Sequence, residues 1–299
     1  MYHIIQSVAV HSNTHHLLEL NTMRSVLVTG GNQGIGFALC KQLAIDYNCH
    51  VFLTARDPSR GQAAASKISE AIVNTPSCTG SVDFITLDTS NDASVAKAAA
   101  EAKQKLSGDE KLYGIVNNAG IGLNTANSGD IINTNLYGPK RIVDNFLDLL
   151  DLKEGRIVNL GSGSGPMYTG GCSQEDKKVL CSPESVTFDF IESHWKRKLN
   201  GSDAYGLSKS LLACYTGILA REYPNILSSC VSPGFIDTQM TSGWGASKTP
   251  EQGMLPITHC LFEELQGNGW YYGSDAVRSP YHVLRNPGEP AYDGVNPFV

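Results

Sequence analysis

The sequence lacks the features that mark a membrane-spanning, metal-finger or nucleic-acid-binding protein. No hydrophobic run approaches the length of a bilayer span, and there is no internal repeat or low-complexity tract. The eight cysteines are scattered, without a Cys-x-x-Cys pair or a metal-ligand spacing, which favours reduced thiols over a disulfide framework. The formal net charge of −6 gives no general attraction to nucleic acid or anionic lipid. We therefore expect a cytoplasmic protein with no nucleic-acid partner, no membrane partner and no metal.

What remains is an ordinary globular composition over 299 residues, enough for a large core. Residues 1–23 stand apart, because they contain His11, His15 and His16 but no Lys or Arg, and they form neither a secretory signal nor a transit peptide. These histidines are possible metal ligands, but a loose polar extension is the favoured interpretation. We expect residues 1–23 to be a flexible extension and 24–299 to be one domain.

From Arg24 onward, short apolar runs alternate with amphipathic windows. The runs predict strands at 25–29, 50–55, 82–87, 112–117, 156–160, 226–231 and 270–272. The windows predict helices near 35–47, 59–73, 92–106, 130–150, 204–222 and 250–265. Such alternation implies right-handed crossovers between parallel strands. The predicted fold is α/β, a doubly wound Rossmann-type parallel sheet of about seven strands flanked by helices, with ligands at the carboxyl ends of the strands.

A glycine-rich turn follows the first predicted strand. Residues 25–36 read Ser-Val-Leu-Val-Thr-Gly-Gly-Asn-Gln-Gly-Ile-Gly, the pattern of a strand, a tight turn and a helix start. Gly30, Gly34 and Gly36 would let the backbone approach a pyrophosphate, which the N–H groups of the helix start would bind. A glycine-rich turn with no ligand is the alternative. The predicted cofactor contacts in this turn also include Asn32, Gln33 and Ile35.

The end of the second strand bears on the choice of cofactor. An acidic residue there binds the ribose 2′-hydroxyl of NAD, whereas an Arg suits the 2′-phosphate of NADP. Arg56 follows the strand, and Asp57 before Pro58 has the alternative role of capping the next helix. We therefore favour NADP(H), although Gln33 adds no positive charge.

Two further strand ends carry candidate cofactor contacts. Asp88 ends the third strand and is a candidate for the adenine ring, with capping of the next helix as its alternative role. The run Asn117-Asn118-Ala119-Gly120 closes the fourth strand. Small and amide side chains at that position either hold an edge of a cofactor or brace the sheet.

Tyr205 and Lys209 lie four residues apart on the predicted helix 204–222, so they share one face. A tyrosine hydroxyl has an ordinary pKa near 10, and a nearby ammonium lowers it, typically by roughly 1 to 3 units. We therefore expect Lys209 to make Tyr205 a usable proton donor and acceptor. The alternative is a chance match, because the pattern is common in helices.

Taken together, four motifs resemble those of the short-chain dehydrogenase/reductase family in order and spacing. They are Thr29-Gly30-x-x-x-Gly34-x-Gly36, Asn117-Asn118-Ala119-Gly120, Tyr205-x-x-x-Lys209 and Pro233-Gly234-Phe235-Ile236-Asp237-Thr238. The resemblance covers about residues 24–272. The run Leu53-Thr54-Ala55-Arg56-Asp57 and the long segment before Tyr205 are similar to the NADPH-dependent carbonyl reductase branch.

This resemblance implies a role for each matching residue. Tyr205 would be the general acid that protonates the developing alkoxide, and Lys209 would lower its pKa and hold the nicotinamide ribose. Ser162 would hydrogen-bond the substrate oxygen, and Asn135 would support a water relay to Lys209. The cofactor contacts that the resemblance implies also include Asn118, Ala119, Gly120, Pro233, Gly234, Ile236 and Thr238.

The chain departs from the family pattern beside the serine. Gly161 stands where the family usually has Ser or Thr, and the run Gly161-Ser162-Gly163-Ser164-Gly165 offers a second hydroxyl. Ser164 therefore competes with Ser162 for the role of binding the substrate oxygen.

The segment 166–202 is the most individual part of the sequence. We predict an inserted helical lid in which Val186, Phe188, Phe190, Ile191 and Trp195 pack over a pocket; a solvent loop without substrate contact is the alternative. In the carbonyl reductase branch a comparable insertion accompanies a monomeric state, so the resemblance implies a monomer. Beyond residue 272, a turn-rich tail, 273–299, is expected to wrap the surface.

The leading hypothesis is NADPH-dependent reduction of a small-molecule carbonyl, an aldehyde, ketone or quinone, to an alcohol. One alternative is an alcohol or hydroxysteroid dehydrogenase that oxidises with NAD(P)+. Another is a regulatory protein that binds NADPH without turnover, since the fold alone does not establish catalysis.

Overall fold

A computed structural model describes residues 23–122, 127–199 and 203–299. Its sheet has seven parallel strands in the order β3-β2-β1-β4-β5-β6-β7. The strands are β1 (Ser25–Val28), β2 (His50–Ala55), β3 (Ser81–Thr86), β4 (Leu112–Asn117), β5 (Arg156–Leu160), β6 (Leu227–Val231) and β7 (Trp270–Tyr272). The predicted single-domain Rossmann-type fold is confirmed, with every strand end within one residue of its predicted position.

Helices cover both faces of this sheet. They are α1 (Gly34–Ile45), α2 (Pro58–Val73), α3 (Asp92–Lys105), α4 (Ser128–Ile132), α5 (Gly138–Phe146), α6 (Ser164–Gly170), α7 (Gln174–Leu180), α8 (Phe188–Lys198), α9 (Ala204–Glu222) and α10 (Leu255–Phe262). None of the helices in these described ranges is both long and apolar enough to cross a membrane.

Two of the windows predicted as single helices are divided into shorter helical segments in the structure. The window 130–150 contains a π-helical turn, Asn133–Tyr137, between α4 and α5, and it ends in a 3₁₀ turn, Leu147–Leu149. The window 250–265 contains only α10, preceded by a 3₁₀ turn, Glu251–Gly253. Apolar spacing indicates which face of a helix is buried, but it does not report a local change of helical pitch.

The core lies in two layers, one on each side of the sheet. Val26 and Val28 pack into the layer under α1, α2 and α10, whereas Leu27 points into the layer under α3, α5 and α9. All three side chains are fully buried. This alternation on a strand buried on both faces is the packing that a doubly wound sheet requires.

The strand order places a crevice between β1 and β4. The chain runs outward from β1 through β2 to β3, then returns to β4 on the other side of β1. The loops that follow β1 and β4 therefore lead to opposite faces of the sheet and leave an opening between them.

The predicted lid is helical, but its apolar residues do not pack as expected. Val186 and Ile191 are buried in the same core layer as Leu207 and Leu211 of α9. Phe188, Phe190 and Trp195 pack against that layer. The segment is therefore docked on α9 through its apolar residues, which leaves the polar face of α8 to solvent.

An ion-pair cluster ties α7 to α8. The Asp176 carboxylate lies 2.6 Å from a guanidinium nitrogen of Arg197 and 2.9 Å from Nζ of Lys198. The pKa of the Asp176 carboxyl is lowered overall. Burial alone would raise it, but the hydrogen bond from Lys198 and the neighbouring positive charges have the larger combined effect, so the carboxyl is held ionised. This part of the segment is fixed by charge as well as by apolar packing.

Candidate active site

The turn after β1 has the conformation of a phosphate-binding loop. Gly30 and Gly34 have φ values of +67° and +55°, in the left-handed region that favours glycine. A Cβ atom added to Gly36 with ideal geometry would lie 2.3 Å from the Gly30 carbonyl oxygen, far closer than a van der Waals contact. The start of α1 therefore packs directly on the turn, which no larger residue would allow.

The N-terminus of α1 provides donors for an anion. Gln33 is the N-cap residue, its side chain makes no capping hydrogen bond, and the first turn contains no acidic residue. The first N–H groups of a helix have no partner within the helix and carry partial positive charge. These donors, together with the glycine turn, fit the pyrophosphate of a nicotinamide dinucleotide.

A short hydrogen-bond network joins this turn to the loop after β4. The amide nitrogen of Asn118 donates to the carbonyl oxygens of Thr29, at 2.8 Å, and Gly30, at 3.1 Å. The Ala119 N–H donates to the Thr29 hydroxyl at 3.0 Å. Asn118 and Ala119 thus brace the glycine turn, and an ideal Cβ on Gly30 would lie 3.1 Å from Ala119 Cα.

Deeper in the sheet, a buried polar chain connects β4, β5 and α9. The Asn117 side chain donates to Asn159 Oδ1 at 2.8 Å, and the Asn159 amide donates to the Thr216 hydroxyl at 2.9 Å. Asn117 was predicted only as part of a motif, and Thr216 was not predicted as its neighbour. Nothing in the spacing of these residues revealed that they meet.

Asn135 lies in the π-helical turn and joins the loop after β4 to α9. Its side chain accepts from the Ile121 N–H and donates to the Ile121 carbonyl, both at 2.9 Å. It also donates to the Ser208 hydroxyl at 3.1 Å. An ideal Cβ on Gly120 would lie 3.2 Å from Asn135 Oδ1 and 3.6 Å from Lys209 Nζ, so these three residues are neighbours. Ser208 was missed because a serine inside a helix carries no sequence signal of its own.

Lys209 is buried with its ammonium directed at the end of β5. Nζ donates to the Leu160 carbonyl oxygen at 2.7 Å, and only 5% of the residue is exposed. Burial lowers the pKa of Lys209 to about 8, because the charged form loses hydration. At neutral pH the ammonium still predominates.

Tyr205 lies one helical turn before Lys209, with its ring centre 5.6 Å from Nζ. Burial raises the pKa of the Tyr205 hydroxyl, and a hydrogen bond with the Ser162 side chain opposes this without reversing it. The expected lowering by Lys209 was therefore wrong for the protein alone. Loss of hydration is the largest effect on this hydroxyl, and the negative charge of Asp203 raises its pKa as well.

The two candidate serines differ in their contacts. Ser162, directly after β5, interacts with the Tyr205 hydroxyl through its side chain and accepts from the Ser164 N–H at 3.2 Å. The Ser164 carbonyl oxygen instead lies 3.0 Å from the place where a Cβ on Gly206 would stand. The geometry therefore favours Ser162 as the hydroxyl that accompanies Tyr205.

The loop after β6 returns to the glycine turn. Ile236 is buried. A Cβ on Gly253 would lie 3.0 Å from the Ile236 side chain and 3.3 Å from that of Pro233, so the three residues are neighbours. Gly234 has φ +94°. Thr238 caps a 3₁₀ turn, Gln239–Thr241, and its methyl group lies 3.4 Å from an ideal Cβ on Gly34. This loop thus stands across the crevice from the start of α1.

Arg56 and Asp88 lie at the ends of β2 and β3. Asp57 caps α2 by accepting from the Arg60 N–H at 2.9 Å, as predicted, and the exposed Arg56 guanidinium makes no hydrogen bond or ion pair within the described ranges. The Asp88 carboxylate accepts from the Ser90 N–H and hydroxyl, at 3.0 and 2.7 Å. Asn91, and not Asp88, caps α3.

The described residues show neither a cluster of metal ligands nor a disulfide. Across the ranges that the structure describes, no group of three or more His, Cys, Asp or Glu side chains is placed to hold a metal ion. All eight cysteines are free thiols. His11, His15 and His16 lie outside the described residues.

Comparison with known proteins agrees with this geometry. Residues 24–173 match the family model described as short chain dehydrogenase. The chain is 30% identical to (+)-neomenthol dehydrogenase of Arabidopsis thaliana over 280 residues, which cover 80% of this chain and 92% of that protein. It is also 30% identical to carbonyl reductase (NADPH) 1 of Pongo abelii over 256 residues, 77% of this chain and 88% of the relative.

A solved structure extends the likeness to three dimensions. Salutaridine reductase from Papaver somniferum superposes with a TM-score of 0.72 at 26% identity, covering 83% of this chain and 99% of that one. The glycine turn and the Asn118 loop lie in the part of the chain that the family model matches. The chain is an oxidoreductase and belongs to the short-chain dehydrogenase/reductase family.

Proposed function

We propose that the protein uses NADPH to reduce a carbonyl group of an aldehyde, ketone or quinone to an alcohol, with Tyr205 as the general acid. The observation that carries this proposal is the convergence of Ser162, Tyr205, Lys209 and Asn135 at the carboxyl edge of the sheet, beside the glycine turn. The relatives named above are reductases and a dehydrogenase, which supports the same class of reaction.

The residues at the crevice fit the proposed cofactor. The α1 N-terminus and the glycine turn would hold the pyrophosphate, Thr238 would contact it from the opposite loop, and Lys209 would hold the nicotinamide ribose. Asn118, Ala119 and Gly120 would line the floor of that site. When bound, NADPH supplies the hydride for the reaction.

The proton comes from the protein. As the carbonyl carbon is reduced, the π electron pair moves to oxygen, which becomes an alkoxide. Ser162 would donate a hydrogen bond to this oxygen, where negative charge develops, and Tyr205 would transfer its proton to it. Lys209, charged at neutral pH, stabilises the tyrosinate that remains.

The protonation state of Tyr205 suits the first step of carbonyl reduction. Because burial raises its pKa, the hydroxyl is protonated at neutral pH and can donate its proton to the developing alkoxide. Oxidation of an alcohol would use the same group as a base. The same residues would therefore serve an alcohol or hydroxysteroid dehydrogenase, and the supply of reduced or oxidised cofactor decides between the two directions.

Arg56 supports NADP(H) over NAD(H). Its guanidinium is exposed at the end of β2, and the adjacent Asp57 carboxylate is engaged as a helix cap. A free arginine without a competing acid is suited to the 2′-phosphate. One of the relatives is named as an NADPH enzyme, in agreement with this choice.

We also propose that the protein is a cytoplasmic monomer. Helix α8 covers part of α9 and the π-helical turn, where Trp195 Nε1 donates to the Tyr137 hydroxyl at 3.1 Å and Tyr137 donates to Glu192 at 2.8 Å. This face is then occupied by the chain itself. Free thiols suit a reducing compartment. Light scattering that shows a stable dimer or tetramer would contradict the monomer.

The test is loss of NADPH absorbance against a panel of aldehydes, diketones, quinones and steroid ketones, with Tyr205→Phe beside the native chain. We expect kcat to fall roughly 10²-fold to 10⁴-fold in the variant, since only the proton donor is removed. NADPH affinity should stay near normal.

Tyr223→Phe is a matched control, because Tyr223 follows the other end of the same helix, about 27 Å away at the rise of an α-helix. Unchanged turnover in Tyr205→Phe would mean that the acid is assigned wrongly. NADPH binding without turnover of any compound by the native chain would favour a regulatory protein.

A further inference from the structure

The C-terminal tail lies in a groove of α6, the helix that follows the catalytic serine. An ideal Cβ on Gly163, the N-cap residue of α6, would lie 2.7 Å from Cδ1 of Leu284. A Cβ on Gly170 would lie 2.7 Å from the His282 carbonyl oxygen. Because these glycines are seven residues apart, they share one face of the helix. The tail therefore runs antiparallel to α6, in space that side chains would otherwise fill.

A buried arginine fixes the tail at this position. Arg285, next to Leu284, is only 8% exposed. Its guanidinium makes a bidentate ion pair with Asp275 and donates to the Ser279 hydroxyl at 3.1 Å. It also donates to the carbonyl oxygens of Asn286, at 2.8 Å, and Glu289, at 3.1 Å. A planar donor group satisfied on all sides leaves the neighbouring residue little freedom.

This anchor presents an apolar side chain beside the catalytic serine. Leu284 touches the backbone between Ser162 and Ser164, yet 46% of the residue stays exposed. Met167, four residues after Gly163 and therefore on the same side of α6, is 63% exposed. Two large apolar residues thus border the site from the tail and from α6.

A third apolar side chain lies near the loop after β4. Met240, in the loop after β6, has its Cγ 3.1 Å from the place where a Cβ on Gly122 would stand, next to the loop that holds Asn135. Methionine side chains adapt to the shape of what they contact. The tail, α6 and the loop after β6 thus each contribute an apolar side chain near the loops that carry Ser162 and Ile121, the backbone partner of Asn135.

We propose that Leu284 is a specificity-determining residue of the carbonyl site, that the fixed tail forms one wall of that site, and that the substrate is an apolar ketone. The inference rests on the proposed function, whose Tyr205 and Ser162 mark where the ketone oxygen lies. Leu284 acts on the body of the substrate and takes no part in the proton transfer.

The test compares a small ring ketone, cyclohexanone, with its bicyclic counterpart, 2-decalone. Leu284→Trp narrows the site at the tail wall, so kcat/KM for 2-decalone should fall at least roughly tenfold relative to cyclohexanone. The affinity for NADPH should not change. Because Leu284 is half-exposed, the variant is expected to fold, which its thermal melting curve checks.

Val283→Trp is the matched control, since Val283 is the preceding residue and is 52% exposed. It should leave the ratio of the two kcat/KM values within about twofold of the native ratio. An unchanged ratio in Leu284→Trp, or an equal change in both variants, would overturn the role of Leu284.

A binding measurement separates this inference from the proposed function. If the native chain turns over neither ketone, calorimetric titration of both compounds into the NADP+ complex replaces the kinetic ratio. A tenfold selective loss of 2-decalone affinity in Leu284→Trp would support the role of Leu284 as one wall of the site, while the missing turnover would count against the proposed reduction. No binding of either ketone, or no selective loss, would contradict the apolar site itself.

Discussion

The cofactor side and the substrate side of this active site are built in different ways. The cofactor side comprises the loops after β1, β2 and β4, and its shape comes from backbone conformation and from hydrogen bonds such as those of Asn118. The substrate side comprises segment 161–199 and the tail 273–299, joined by the contact between Gly163 and Leu284. The first depends on short motifs, whereas the second depends on a contact between residues more than a hundred positions apart in the sequence.

The two sides also differ in what holds them in place. On the cofactor side, small residues let backbone pack on backbone, as Gly36 does against the Gly30 carbonyl. On the substrate side, buried ionic groups fix each piece, Asp176 for the helices and Arg285 for the tail. Under the proposed function, the cofactor would meet rigid backbone, while the substrate would meet side chains on separately anchored segments.

Among the changes that test this comparison, the largest effect is expected from Gly36→Ala, on the cofactor side. The added methyl group would overlap the Gly30 carbonyl oxygen and the Asn118 amide, so the free energy of unfolding should fall by about 3 kcal/mol or more. NADPH affinity should fall more than about tenfold. Urea unfolding and a fluorescence titration with NADPH measure the two effects.

Gly129→Ala provides the control, because Gly129 is exposed in α4 and its Cβ would meet only the side-chain oxygen of the exposed Asn127, at 3.2 Å, which can shift slightly. This substitution should change the stability by less than about 1 kcal/mol. A tolerated Gly36→Ala with normal NADPH binding would break the claim that the cofactor side depends on backbone packing.

A smaller effect is expected from Arg285→Met, on the substrate side. Removing the guanidinium leaves the Asp275 carboxylate and two carbonyl oxygens without their partner, which should cost about 2 kcal/mol of stability. With the tail loosened, KM for the ketone should rise while the dissociation constant of NADPH stays constant. Steady-state kinetics and cofactor titration separate the two sides.

Arg197→Met serves for comparison, since Arg197 also pairs with a carboxylate but its side chain is 61% exposed. Exposed pairs contribute little, so its stability should change by less than about 1 kcal/mol. An equal loss of NADPH and ketone affinity in Arg285→Met would show that the two sides are not independent.

The smallest expected effect is that of Arg56→Asp. The reversed charge should weaken the binding of NADPH by about tenfold, or about 1.4 kcal/mol, and leave the binding of NADH nearly unchanged. Lys67→Asp makes the same change of charge on the exposed face of α2 and should alter neither affinity. Equal losses of both cofactors in Arg56→Asp would remove the argument for a 2′-phosphate contact.

The sequence predicted the cofactor side well because its signals are local. Strand ends, the glycine turn and the Asp57 cap all follow from residues within a few positions of one another. The structure also brings Asn135, Ser162, Tyr205 and Lys209 to one edge of the sheet, although their catalytic roles stay predictions. The motif did not reveal that loss of hydration would raise the pKa of Tyr205.

The substrate side was predicted less well, since its contacts join distant parts of the chain. The apolar residues of 166–202 were expected over a pocket, yet Val186 and Ile191 complete the core on α9. The tail was expected to wrap the surface, but no local pattern indicated that Leu284 would meet Gly163. Periodicity shows that a side chain is buried, but it does not show against what.

The glycine groove on α6 has a consequence for how this protein changes over evolutionary time. Because Gly163 and Gly170 receive the tail without interlocking side chains, residues of the tail can be exchanged one at a time while the helix beneath them stays the same. Half-exposed positions such as Leu284 tolerate such exchanges at little risk to the fold. With Leu284 beside the substrate as proposed, single substitutions in the tail would give a new substrate preference and leave the glycine turn unchanged.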